Sequence, residues 1–477
     1  MTKPVIVDVL ADRYASEQMA DIWSARRKII LERELWVALL KAQIAAGIAA
    51  PEGAVEAYEA VIDQVDLESI ASREVKLRHD VKARIEEFNE LAGYEVIHRG
   101  MTSRDLTDNV EQLQIKLSME LVRDRLVAVL MNLAKCAQEH TALAMVGRSH
   151  NTPAQATTLG KRFASAGTEV MVAFTRLEEL IARYALRGVR GPMGTSQDQL
   201  ELLDGDREAL KVLEAAVVEH LGFSASLGST GQVYPRSMDY EVATAVAQVA
   251  AGPSSLATTL RLMAGFDLSN EGFKEGQVGS SAMPHKMNSR TCERICGFKI
   301  ITDGYVTMTA GLSGDQWQEG DVSCSVVRRV ALPGLFFAID GQLEALLTVL
   351  DEFGVYPAVI QRELDRYFPF LTTTKILAAA MKQQQGREEA YAAIQEHAKA
   401  VVLALREGGF TENDLYQRLA DDPRIDLSLF EILALIDAPL TFVGNAEQQT
   451  FDFYFAVNKI LARFSDEVIT YHPAPIL

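Results

Sequence analysis

Residues Asp105–His140 read DLTDNVEQLQIKLSMELVRDRLVAVLMNLAKCAQEH. Leu106, Val110, Leu113, Leu117 and Leu121 recur at spacings of three and four, and Leu126, Leu130 and Leu133 carry the stripe onward. No glycine or proline interrupts the run. Apolar residues at this spacing line one face of a 3.6-residue repeat, which predicts a single amphipathic helix. It would be roughly 35 residues long, against the ~10–14 usual in globular proteins. A small domain cannot cover such a helix; it needs partners of similar length.

Those partners are legible in the runs from about Ala154 to Ala185, Met238 to Phe266, Arg290 to Leu312 and Pro333 to Glu352. Glycine and proline cluster between them, in Arg187–Gly194 and Leu227–Pro235. Strand-like runs are short and few, and no repeat of roughly 20–50 residues and no low-complexity tract is present. The expectation is an all-α protein with a long central helical bundle, elongated and shared between subunits. Three domains follow: an N-terminal helical cap over 1–105, the bundle over 106–355 and a C-terminal helical domain over 356–477.

The 477 residues are 48% hydrophobic and 23% charged, an ordinary globular balance. Lys and Arg number 47 against 65 Asp and Glu, a formal charge of −18. So acidic a chain is a poor non-specific binder of nucleic acid, which is held through Lys and Arg on phosphates. The four cysteines, Cys136, Cys292, Cys296 and Cys324, are sparse and fit a reduced, cytoplasmic setting. Cys292 and Cys296 share a helix face, but with no matching Cys/His pair nearby they read as two small apolar residues rather than metal ligands. Asp8 and Asp12 stand where a signal peptide would be basic and then apolar. No uninterrupted apolar run reaches the ~18 residues of a membrane span. A soluble protein without a membrane partner is expected.

Four polar segments carry groups suited to chemistry. Lys274–Arg294 reads KEGQVGSSAMPHKMNSRTCER, a glycine- and serine-bearing loop that runs into a helix. Glycine permits unusual backbone angles, and a mobile loop with Ser, His and Lys ahead of a helix N-terminus suits anion binding and catalysis. A plain inter-helix loop has the same composition. Gly147–Gln155 reads as a polar turn between two long helices, with His150 able to act as acid or base near neutral pH. Arg78-His79-Asp80 with Lys82 gathers cations that suit a phosphate or carboxylate, though a solvated helix face reads the same way. Thr102 and Asp105 have capping-box spacing at the start of the longest helix, and Ser103 lies between them where exposed N–H groups bind anions. Thr230-Gly231-Gln232, and Ser325 with Arg329, say little alone.

Taken in order, these segments resemble one family. GSSAMPHKMN (279–288) is similar to the fumarase/aspartase superfamily signature G-S-S-x-M-P-x-K-x-N. Gly147–Arg162 resembles the T-H-x-x-P-A-Q-x-T-T-x-G-K-R stretch of adenylosuccinate lyases, Arg78–Val81 their R-H-D-V, and His98–Asp105 their H-x-G-x-T-S-x-D. Arg13-Tyr14, Thr230-Gly231-Gln232, Ser325-x-x-x-Arg329 and Arg294 match smaller elements. The resemblance covers about residues 13–375.

It implies a three-domain fumarase/aspartase-like fold assembled as a homotetramer whose subunits share each site. It implies β-elimination of fumarate from adenylosuccinate, giving AMP, and from the succinyl-carboxamide imidazole ribotide of purine biosynthesis. Ser280 would be the base and His150 the acid. Arg13, Tyr14, Arg78, His79, Asp80, His98, Thr102, Ser103, Gln232, Ser281, Lys286, Asn288, Arg294, Ser325 and Arg329 would bind or orient the small-molecule substrate. No metal or organic cofactor is required. Two positions depart from the pattern. Ser289 replaces a proline, and Gly320, in Trp317-Gln318-Glu319-Gly320, replaces an arginine. Arg328 offers a compensating cation. Other readings are a sister lyase acting on argininosuccinate or a carboxymuconate-type cycloisomerase, and a non-catalytic scaffold of the same fold.

Overall fold

The computed structural model describes residues 7–272, 282–408, 412–436 and 438–474. The N-terminal part contributes α1 (Val9–Arg13), α2 (Ala25–Ala45), α3 (Leu67–Leu77) and α4 (Asp80–Ala92). The bundle follows as α5 (Ser103–Glu139), α6 (Leu159–Arg183), α7 (Ser237–Gly265), α8 (Arg290–Leu312) and α9 (Cys324–Glu352). A β-hairpin, β1 (Ala144–Ser149) and β2 (Thr152–Thr158), joins α5 to α6, and β3 (Ser269–Asn270) pairs with β4 (Gly354–Val355). Helices α10 (Pro357–Leu371) and α11 (Ala446–Leu461) bracket a separate apolar cluster built on Ile376, Ala393, Leu415 and Ile432. Phe453 and Val457 of α11 return to the main core.

Side-chain pairs set the helix directions. Arg328 near the start of α9 meets Glu111 and Asp239, near the starts of α5 and α7. Cys136 near the end of α5 meets Leu350 near the end of α9 at 3.8 Å. Helices α5, α7 and α9 therefore run parallel, and α6 and α8 return between them. The bundle has two distinct ends: one holds the starts of α5, α7 and α9, the other holds the hairpin and the start of α8.

The amphipathic stripe read from the sequence understates the burial of α5. Leu126, Val127, Ala128, Val129 and Leu130 are all fully buried, so the helix middle is surrounded on every side, as for a core helix of a large protein. Each such Leu or Val contributes roughly 1.5–3 kcal/mol on burial. Helix α9 is long and apolar enough to cross a membrane, but 89% of its most apolar window is packed inside the protein.

Two helix boundaries differ from expectation. Residues 154–158 form a strand rather than the start of a helix. The β-branched Thr157 and Thr158 pair with Met145 and Ala144, and Thr158 then caps α6 by accepting the Lys161 N–H at 3.1 Å. The last bundle helix begins at Cys324, not at Pro333, which lies inside it. Proline ordinarily breaks a helix by removing an N–H and crowding the preceding turn. Here that turn is held from outside by the ion pairs of Arg328.

Candidate active site

His150 sits at the tip of the β1–β2 hairpin. Its φ is 52° and that of Asn151 is 59°, the two positive values that a two-residue type I′ turn demands. The turn holds the imidazole out from the bundle end, exposed. Arg148 braces the hairpin by pairing with the Glu363 carboxylate, donating to the Asn151 carbonyl at 3.1 Å and lying 4.3 Å over the Phe266 ring. Beside it opens a cleft of about 680 Å³ lined by Arg148, Ser149, Asn151, Lys161, Arg162 and Phe266, among others.

The same bundle end carries the described part of the signature loop. Lys286 is exposed, and its N–H closes a turn on the Met283 carbonyl at 3.0 Å. Asn288 lies one residue before the Ser289 N-cap of α8, and Arg294 lies in its second turn. Ser280 and Ser281 lie outside the described residues. Glu271 anchors the entry to α8 by accepting the N–H groups of Thr291 at 2.9 Å and Cys292 at 2.8 Å. This carboxylate at a helix N-terminus complements the macrodipole; sequence reasoning missed it because it is twenty residues upstream of its partners.

The opposite end gathers most of the other residues. Arg78 ends α3 with φ 52°, and His79 caps α4, its Nδ1 accepting the Lys82 N–H at 3.2 Å. Asp80 accepts from Arg84 at 2.9 Å and from the Val81 N–H at 2.8 Å. Burial alone would raise its pKa, but Arg84, that N–H, His79 and the nearby charge of Arg329 hold it below the usual value. His98 also has positive φ, 62°, and its Nδ1 accepts the Trp36 indole N–H at 3.0 Å. Thr102 and Ser103 open α5, with the Thr102 N–H held by Asp105 at 2.7 Å. Arg329, exposed, and Ser325 stand in the first two turns of α9. The Gln232 N–H donates to the Glu319 carbonyl at 2.6 Å, which clamps the Thr230-Gly231-Gln232 loop to the 317–320 turn.

Gly320 has φ 142°, and a Cβ there would come within 3.2 Å of Val233 and 3.3 Å of Gln232. The departure from the expected arginine is therefore a backbone requirement. Gly320→Ala should cost about 1–3 kcal/mol of strain, displace Gln232, and be read as a lower melting temperature together with a raised KM. Arg328 does not supply the missing cation. It is buried and committed to Asp239 at 2.8 Å and to Glu111 and Tyr234, so the compensation expected of it is withdrawn.

A buried polar network beneath this end also escaped the sequence reading. Asp105 accepts from Arg187 at 2.5 Å and from the N–H groups of Arg190 and Gly191. Arg187 in turn donates to the carbonyls of Gly188, Gly191 and Gly231. Asp108 accepts from Arg236 at 2.9 Å. These groups hold the two glycine-rich loops against α5. The available signal was the presence of Asp105, Asp108 and Asn109 beside the apolar stripe, where a solvated face offers no reason for them.

Arg13 and Tyr14 lie between the ends: the Tyr14 ring meets Phe298 of α8 edge-on at 5.2 Å. One chain thus holds His79, His98, Thr102, Ser103, Gln232, Ser325 and Arg329 at one end and His150, Lys286, Asn288 and Arg294 at the other. Helix α5 spans the interval with 37 residues, roughly 55 Å at 1.5 Å per residue. A single copy does not bring the two sets together.

Comparison with known proteins bears on this geometry. The family model described as lyase matches residues 7–300, and the one described as adenylosuccinate lyase C-terminus matches 369–453. The adenylosuccinate lyase of Saccharomyces cerevisiae is 34% identical, with 93% of each chain covered. That of Schizosaccharomyces pombe is 32% identical over 94% of this chain and 93% of the relative. That of Methanothermobacter thermautotrophicus is 32% identical over 91% and 95%. Among solved structures, 3-carboxy-cis,cis-muconate lactonizing enzyme from Pseudomonas putida superposes with a TM-score of 0.79 at 20% identity, covering 94% of this chain and 99% of that one. A fumarate lyase from Mesorhizobium sp. BNC1 gives 0.78 at 21% identity, covering 95% and 100%. At that identity the structural likeness speaks to the fold alone, the fumarase/aspartase arrangement expected from the sequence.

Proposed function

This chain belongs to the adenylosuccinate lyase family, and from that premise we propose that it releases fumarate from adenylosuccinate, leaving AMP, and from the succinyl-carboxamide imidazole ribotide. The observation that carries the reading is the gathering of Arg78, His79, Ser325 and Arg329 at one bundle end, a set suited to a nucleotide phosphate; the site residues as a whole divide between opposite ends of the bundle. Copies packed with their bundles antiparallel would bring one end of each against the other end of a neighbour. That division supports sites built from different subunits; the family resemblance supports a homotetramer, and the sparse, unpaired cysteines support a cytoplasmic setting.

The reaction breaks a C–N bond. A base removes a proton from the carbon beside a carboxylate, the electron pair becomes the double bond of fumarate, and the departing nitrogen takes a proton. Ser280 serves as base. A hydroxyl needs activation for that task, and Lys286 with backbone N–H groups of the loop would stabilise its alkoxide. His150 protonates the leaving nitrogen. Arg78, His79, Ser325 and Arg329, beside the positive end of α5, suit a phosphate group. That feature favours a nucleotide over argininosuccinate, which has no phosphate. Proton transfer and charge stabilisation suffice for this step, so no cofactor is invoked.

The test is ultraviolet absorbance of the purified protein with adenylosuccinate, with argininosuccinate in parallel. Conversion to AMP and fumarate supports the assignment. Fumarate from argininosuccinate alone would move the protein to the sister lyase, and inactivity on both would leave the scaffold reading.

A further inference from the structure

We propose that Trp36 is a positioning residue that fixes His98 as the neutral tautomer with its proton on Nε2, so that His98 acts in the site as a hydrogen-bond donor and not as a proton carrier. The inference rests on the site assignment above for its functional consequence, but its structural part stands without it.

An indole N–H can only donate. Since it donates to His98 Nδ1 at 3.0 Å, that nitrogen must offer a lone pair, and in a neutral imidazole the proton then sits on Nε2. The donor is rigidly held. Trp36 is buried in α2 and stacked on Phe88 with ring centroids 6.1 Å apart. The Trp36 and His98 rings meet edge to face at 5.9 Å. Turning the imidazole over would break the Trp36 hydrogen bond and place a C–H against the indole N–H, so the contact favours this one ring orientation. Among the described residues Nε2 makes no hydrogen bond, which leaves it for a ligand.

The charged surroundings agree. Burial is the largest influence on His98; the Asp105 carboxylate of α5 opposes it, while His79 and Lys82 of α4 add to it, and the balance holds the pKa down to about 4. The neutral form is therefore kept throughout the neutral range, and the Trp36 bond selects which neutral form it is. A histidine so arranged cannot exchange protons with substrate near pH 7. It can donate one fixed hydrogen bond to a carboxylate, phosphate or carbonyl oxygen, a bond of the charge-assisted kind when the acceptor is an anion.

The full-length histidine-15N-labelled protein gives the direct readout by solid-state 15N spectra, with His98 assigned by its loss in His98→Gln. The expected result is a bare Nδ1 and a protonated Nε2 from pH 6 to 8. In Trp36→Phe, which keeps the stacking bulk but removes the donor, burial still keeps the ring neutral, but the tautomer is no longer selected and a population protonated on Nδ1 should appear. In turnover, glutamine can replace an Nε2 donor but not a proton carrier, so His98→Gln should exceed His98→Ala in kcat/KM by about tenfold. A protonated Nδ1 in the wild type, an unchanged tautomer in Trp36→Phe, or glutamine no better than alanine would each overturn the proposal. Wild-type turnover of adenylosuccinate in the same series separates this failure from failure of the functional assignment.

Discussion

His150→Ala lowers kcat on adenylosuccinate by about 10²–10⁴-fold, the range a positioned general acid contributes, while the protein stays folded. The second half follows from where the residue lies. His150 is exposed at a hairpin tip, and surface substitutions away from special features usually change stability by no more than ~0.5 kcal/mol. The one special feature is its positive φ of 52°, which alanine tolerates less well than histidine or asparagine. His150→Asn therefore serves as the companion variant: it suits the turn but cannot donate a proton in the same way. Equal loss of turnover in both variants, with little change in melting temperature, identifies a chemical role. Activity retained in His150→Asn would reduce the residue to a turn former.

Arg328→Met has the second large effect, on stability. Arg328 is buried against Glu111 and Asp239, and Asp108 lies 3.9 Å away. Breaking a buried pair from one side leaves uncompensated charge and costs about 3–5 kcal/mol. The sign of the pH dependence is fixed by Glu111. Burial would raise its pKa, but Arg328, Lys28, Arg236 and Arg104 together hold it down to about 2. A depressed folded-state pKa contributes stability that is present above the unfolded value near 4.5 and lost as pH falls toward 2. Without Arg328 that contribution shrinks. Denaturant unfolding should then show the variant far below wild type at pH 7, with the gap narrowing as pH is lowered from 5 toward 3. A gap that is small at pH 7, or that widens with acid, would contradict this role.

These two residues mark what a linear reading can and cannot reach. Helix α5 was legible because Leu106 to Leu133 repeat at helical spacing without interruption, and the repeat is a local property. The hairpin at His150 was not, because a two-residue turn depends on positive φ at His150 and Asn151, and on pairing between strands of six and seven residues. Pro333 looked like a helix start because the contacts that support the preceding turn come from α5 and α7. Arg328 looked like a free cation because its acceptors lie 217 and 89 residues away in the chain. Gly320 looked like a lost contact, when its backbone angle and the proximity of Gln232 require glycine. The site residues were readable as a set through their motifs, but their distribution between the two bundle ends is a property of helix direction, which a sequence does not display.

That distribution is best tested by mixing two inactive variants, His150→Ala from one end and Arg329→Ala from the other, and measuring adenylosuccinate turnover after subunit exchange. If each site takes His150 and Arg329 from different subunits, mixed oligomers contain some sites free of both substitutions, and activity should rise well above that of either parent. Turnover no higher than the average of the two parents, with exchange verified by mass, would contradict a site assembled from opposite ends of neighbouring bundles.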